Sequence, residues 1–200
     1  AVDKIFSLFK SNLYHSNISF HGGKYTIEYA KKGVFFVNQG AAFNSRFTFT
    51  HMSVGAASGA ATELARLVLF TSAEIRGCSI LVSGLRITKF PAVFTTSYSN
   101  LVWMAITGGT LANSSLVHLQ NSSAVPATYS MTKTHTMIAV DPTYCTDTTV
   151  MSTDNQIESH LGDTGTEGIR LTAGHTMRNV HLIVDNFRVT GATTTAAGFT

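Results

Sequence analysis

Ile80-Leu81-Val82-Ser83-Gly84-Leu85-Arg86-Ile87-Thr88 and Leu182-Ile183-Val184-Asp185-Asn186-Phe187-Arg188-Val189-Thr190 are one pattern written twice. Each is an apolar triplet, a corner pair of small or polar residues, an apolar residue, Arg, a β-branched residue and Thr. Met151-Ser152-Thr153-Asp154-Asn155-Gln156-Ile157-Glu158 carries the same Asp-Asn corner with one residue fewer after it. A recurring strand–corner–strand unit is the signature of a stacked coil, in which each turn covers its inner face only against its neighbours. On this reading Ser83-Gly84, Asp154-Asn155 and Asp185-Asn186 bend the chain at equivalent places in a parallel spiral.

The composition agrees. A chain of 200 residues can bury one real core or two small ones. Only 12% of residues are charged, about half the usual share. Aliphatic and aromatic residues are spread along the whole length, so the low charge is not a sign of disorder. It fits β-structure with neutral polar ladders, in an assembly or in a neutral monomer. The net charge of +3 is scattered, with Lys31-Lys32 and nearby Lys24 as the one basic cluster, which argues against nucleic acid as a partner. Cys78 and Cys145 have neither metal nor redox spacing. Two free, buried thiols are expected, with a bridge between them left open. No segment is long and apolar enough to insert into a bilayer, and the N-terminus does not read as a signal peptide.

Three segments are expected. Residues 1–16 read as a capping helix: Asp3 is an N-cap, and Ile5, Leu8, Phe9 and Leu13 recur at helical spacing over residues 3–14. Such a helix would cover the open end of the first coil. Residues 17–190 are short runs rich in Val, Ile, Phe and Thr, split by Gly, Asn and Ser, and read as a single β-domain. Residues 191–200 read as a flexible or partner-bound tail.

The corner residues carry a family resemblance. Glu74-Ile75-Arg76-Gly77-Cys78-Ser79-Ile80, Thr149 to Ile157, and Gly168-Ile169-Arg170-Leu171 leading into Asn179-Val180-His181-Leu182-Ile183-Val184-Asp185-Asn186 resemble rungs of the right-handed parallel β-helix. That is the pectin-lyase-like superfamily, which includes many bacteriophage tailspikes. The resemblance implies an all-β parallel β-helix. Asn tolerates the left-handed backbone of a corner and stacks on the next Asn, and Gly77, Gly84 and Gly168 would serve corners for the same reason. A β-sandwich or jelly roll stays open as the alternative fold, because Leu182 to Phe199 also looks like the closing strand of such domains.

The chemistry legible in the chain is sparse. Glycoside cleavage needs two carboxylates flanking the bond, and Asp154, Glu158 and Asp185 are the candidates should the chain be an enzyme, with Glu167 within reach of the same face. No nucleophile elbow, phosphate loop or metal spacing occurs, so neither a cofactor nor a metal is expected, and an enzyme is the less favoured class. Sugar rings stack on exposed aromatic faces while amides bind their edges, which makes Tyr98, Trp103, Asn113 and Asn121 candidates for a glycan surface. The expectation is a virion structural or host-attachment module, at a virion or extracellular surface, forming a homo-oligomer (a trimer) with other virion proteins and cell-surface glycan as partners. A polysaccharide-degrading glycosidase or lyase on the same scaffold and a jelly-roll capsid or decoration protein are the alternatives.

Overall fold

In parallel β-stacks, like positions of successive coils lie over one another about 4.8 Å apart. The described residues follow that rule throughout. The computed structural model describes residues 6–27, 35–56, 64–71, 73–88, 100–125, 134–159, 165–172, 176–191 and 196–199. Among these residues strands are the regular secondary structure, joined by sharp corners, and every strand pairing is parallel. The fold is a parallel β-solenoid, and the sandwich or jelly-roll alternative, which needs antiparallel pairs, is excluded.

Each coil contributes to four columns of strands. Column one holds Phe6–Phe9, Phe35–Asn38, Leu64–Thr71, Asn100–Thr107, Thr134–Asp141, Gly165–Leu171 and Ala196–Phe199. Its seven strands bound six coils among the described residues. Column two holds Asn12–Tyr14, Ala41–Phe43, Glu74–Arg76 and Thr110–Ala112. Column three holds Asn17–His21, Arg46–Thr50, Ser79–Ser83 and Ser115–Gln120. The longer strands Tyr144–Thr153 and Thr176–Asp185 run through both columns and join them into one sheet. Column four holds Lys24–Ile27, Ser53–Ala56, Arg86–Thr88, Ser123–Val125, Gln156–Ser159 and Arg188–Gly191.

Alternation along column three sends one set of side chains inward. Phe20, Phe49, Val82, Leu119, Ser152 and Val184 form one such stack in continuous register, and the Phe20 and Phe49 rings lie parallel at 5.5 Å. In the middle coils the interior residues are sealed, among them Phe47, Ile75, Ile80, Val117 and Val150. Each Å² of apolar surface so covered stabilises by about 25 cal/mol. In the first and sixth coils the corresponding residues, Leu8, Leu13, Ile18 and Phe20 at one end and Met177, Leu182 and Val184 at the other, are only half-buried. Column one adds a feature of its own. Leu67, Trp103 and Met137 stand outside the regular ladder pairing, and each faces the interior together with the residue after it. A small second cluster, Leu69, Val102, Ala105 and Ala139, is buried on the opposite face of that sheet.

Three expectations are corrected. The capping helix over 3–14 is absent from the described part of that stretch. Phe6–Phe9 pairs with Phe35–Asn38, and Asn12–Tyr14 pairs with Ala41–Phe43. Lys10 turns the chain between them at φ 51°, so the apolar residues that recur at helical spacing belong to two short strands and a corner; residues 1–5 lie outside the described residues. The tail is not structureless throughout, because Ala196–Phe199 adds a strand beside Gly165–Leu171. Gly168 is not at a corner. It is buried in mid-strand next to Ile169, in the position that Trp103 and Met137 occupy in the coils before it.

Candidate binding surface

Two columns of corner residues shape the surface. Between columns two and three the corners are His15, Asn44, Gly77, Asn113, Asp147 and Asn179, all at positive φ between 48° and 62°. Between columns three and four they are Gly22, His51, Gly84, Asn121, Asp154 and Asn186, with φ between 48° and 72°. Single left-handed residues turn a strand sharply, and Gly, Asn and Asp adopt that conformation at least cost. Within a coil the two corners are seven residues apart, except that Ser114, also at positive φ, adds one between Asn113 and Asn121. The second column is locked by its backbone. The N–H groups of Gly22, His51, Gly84, Asn121 and Asp154 donate to the carbonyls of Thr50, Ser83, Gln120, Thr153 and Asp185 at 2.8–3.1 Å.

Behind several corners lies a buried polar residue, Ser45, Ser115, Ser122, Thr148 or Asn155, that bonds backbone groups there. Ser45 Oγ accepts from the Ser16 N–H, and Ser115 Oγ accepts from the Cys78 N–H. Asn155 Oδ1 accepts from the Ser122 N–H at 2.9 Å, while its Nδ2 donates to the Leu119 carbonyl and to Ser152 Oγ, both at 2.9 Å. Cys78 and Cys145 are free and buried. Burial pushes both thiols above the ordinary cysteine value, which keeps them protonated and unreactive.

The outer face carries the candidate site. An open groove of about 310 Å³ runs along the first corner column, lined by His15, Ser16, Asn17, Asn44, Ser45, Arg46, Gly77 and Ser79. Three successive coils build it. The corners His15, Asn44 and Gly77 form one side, and the first outward-facing row of column three, Asn17, Arg46 and Ser79, forms the other. Gly77 matters here because a side chain at that point would overlap Asn44 Oδ1. One residue before the corner, the Tyr14 ring, 60% exposed, stacks on Phe43 at 5.2 Å with 9° between planes. An exposed Tyr ring, stacked on half-buried Phe43, beside a row of amides, hydroxyls and a guanidinium is the donor and stacking set that sugars use.

The residues expected to bind glycan fall elsewhere. Trp103 is buried completely between Leu67 and Met137 of the neighbouring coils, with its Nε1–H lacking a partner among the described residues, and has no face for a sugar ring. Asn113 and Asn121 are exposed corners of one coil, on opposite edges of column three. Tyr98 lies outside the described residues. Tyr14 and the groove are not legible in the sequence, because exposure and stacking between coils leave no mark in linear sequence. The seven-residue interval between corner residues was the available signal.

The three carboxylates proposed for catalysis are all exposed, but Asp154 and Asp185 are not equivalent corners. Asp154 stacks under Asn186, whose Nδ2 donates to Asp154 Oδ1 at 2.7 Å. Asp185 ends the preceding strand, opposite Thr153. The Asp-Asn pairs are therefore offset by one residue, because Asp154 is itself the left-handed corner while Asp185 precedes one. The two remain neighbours through the hydrogen bond from the Asp154 N–H to the Asp185 carbonyl, 3.0 Å. Glu158 sits on column four opposite Thr190. Glu167 belongs to column one, where Thr136 Oγ1 donates to it at 2.6 Å and Arg170 lies 3.5 Å away, so it does not share a face with Asp154. Among the described residues no group of three or more His, Cys, Asp or Glu is placed to hold a metal ion. The chain matches no protein-family model, no curated protein and no solved structure.

Proposed function

We propose that this chain is a non-enzymatic structural module that presents a glycan-binding groove on a rigid β-solenoid, in a virion or at another extracellular surface, as part of a tailspike- or fibre-like homotrimer. The observation that carries the reading is the groove itself. Three coils place His15, Asn17, Asn44, Arg46 and Ser79 in one open, polar trough next to the exposed Tyr14 face. Such shallow polar sites suit oligosaccharides better than compact apolar ligands. The solenoid supports the structural half of the reading, since its repeated coils hold surface side chains in fixed rows.

The test is binding of the intact chain to a panel of cell-surface and capsular oligosaccharides, with Tyr14→Ala and Asn44→Ala as site variants. Binding that both variants weaken supports the proposal; a panel with no binder rejects it. New reducing ends or unsaturated uronates after incubation, lost in Asp154→Ala or Asp185→Ala, would replace it with the enzymatic reading. Light scattering decides the trimer, and a stable monomer at micromolar concentration removes that part.

A further inference from the structure

We infer that the groove selects anionic sugars, with Arg46 as the residue that reads the ligand's negative group; this rests on the glycan-binding reading above. None of the eight lining residues is Asp or Glu, and Arg46 is the one lining residue with a permanent charge. Its neighbours across the sheet are Asn17 on one side and Ser79 on the other, so no carboxylate stands beside it. Arg76 Nε donates to Glu74 Oε1 at 2.7 Å and Arg170 lies 3.5 Å from Glu167, whereas Arg86, Arg178 and Arg188, which like Arg46 make no ion pair among the described residues, lie outside the groove. Among the described residues Arg46 makes no ion pair, and it is exposed.

A guanidinium offers a planar fork of donors that matches a carboxylate or sulfate, and an unpaired one at the edge of a groove is available to a ligand. The groups around it are suited to the rest of a sugar. Asn17 and Asn44 supply carboxamides and Ser79 a hydroxyl, which can donate and accept along the ring hydroxyls. Gly77 leaves the room that the Asn44 carboxamide occupies, since a side chain there would overlap Asn44 Oδ1. The shared chemistry is an anionic group on a sugar, from a uronate carboxylate or a sulfate ester.

The test is calorimetric titration of the intact chain with an oligogalacturonate, the same oligosaccharide methyl-esterified, and a sulfated oligosaccharide of equal length. The proteins compared are the wild type, Arg46→Gln, Arg46→Lys, and Arg86→Gln as a control on column four. An acidic ligand should bind at least about tenfold tighter than the ester, and more weakly as salt rises. Arg46→Gln should erase that preference, Arg46→Lys should keep part of it, and Arg86→Gln should leave it whole. Loss of the carboxylated or of the sulfated ligand in Arg46→Gln says which anion the groove reads, and either supports the inference. Equal binding of acid and ester, unchanged in Arg46→Gln, overturns the anionic selectivity and leaves glycan binding standing. No binding by any of the three ligands, together with an empty neutral panel, overturns both.

Discussion

Asn186 of the sixth coil donates a hydrogen bond from Nδ2 to Oδ1 of Asp154 in the fifth, at 2.7 Å. Seven residues earlier in each coil, Asn179 Nδ2 donates to Asp147 Oδ1 at 2.8 Å. All four residues are in the left-handed region, so each pair joins two sharp bends stacked one above the other. A substitution at Asp154 tests both components. Asp154→Val should cost about 2–3 kcal/mol, combining left-handed strain in a β-branched residue with the lost hydrogen bond. Asp154→Asn should stay within about 0.5 kcal/mol. Urea unfolding midpoints of the two variants check the contrast.

Two glycines should respond in opposite ways. A methyl group on Gly109 would overlap the Ala73 carbonyl oxygen and approach the Ala73 nitrogen to 2.7 Å, at a φ of 71°. Gly109→Ala is expected to cost more than about 3 kcal/mol, because backbone on both sides must move. Gly22 shares nearly the same φ, 72°, but nothing lies within 4 Å of the added carbon. Asn121 and Asn186 already fill the same corner column, so Gly22→Asn should be neutral or stabilise by up to about 0.5 kcal/mol through the unfolded chain. Thermal unfolding of the pair is the measurement.

Asn155 is 1% exposed and makes three hydrogen bonds. Asn155→Ala strands the Ser122 N–H in the interior and removes the donor that Nδ2 gives to the Leu119 carbonyl. With the penalty for unpaired buried groups, a loss of about 2–4 kcal/mol is expected. Amide exchange at Ser122 should accelerate in the same variant, and unchanged protection there would contradict the assignment.

His118 supplies a pH dependence. Burial holds its imidazole below the ordinary histidine value, against the opposing pull of the Asp154 charge, and its Nε2 lies 2.9 Å from Thr153 Oγ1. The folded state therefore disfavours the proton that the unfolded chain takes up near pH 6.5. The stabilising contribution is complete above that pH and is lost as pH falls through the depressed folded value. Wild type should lose more stability than His118→Gln between pH 7.5 and 5, read from unfolding midpoints at each pH; equal losses would show that another group governs the window.

Much of the fold was legible from local pattern. The matched stretches 80–88 and 182–190 do occupy the same positions in the third and sixth coils, with Gly84 and Asn186 in one corner column. Gly77 and Gly84 were read correctly as corners. Phe6 to Tyr14 reads as helix in the sequence because strand–corner–strand with short strands puts apolar residues three to five apart, an interval that a helix also satisfies. Asp154-Asn155 was misplaced by one residue because either member of the dipeptide can take the left-handed bend, and only pairing across coils says which one does.

The amino-acid sequence by itself determined that the chain is built of short β-branched strands with Gly, Asn and Asp bends, because strand propensity and left-handed tolerance are properties of single residues. Tertiary structure decided which bends stack, that Trp103 is core, and that Tyr14, Asn44 and Arg46 meet on one surface. Those relationships join residues about 30 positions apart, and their register follows from the length of each whole coil, which local sequence does not encode.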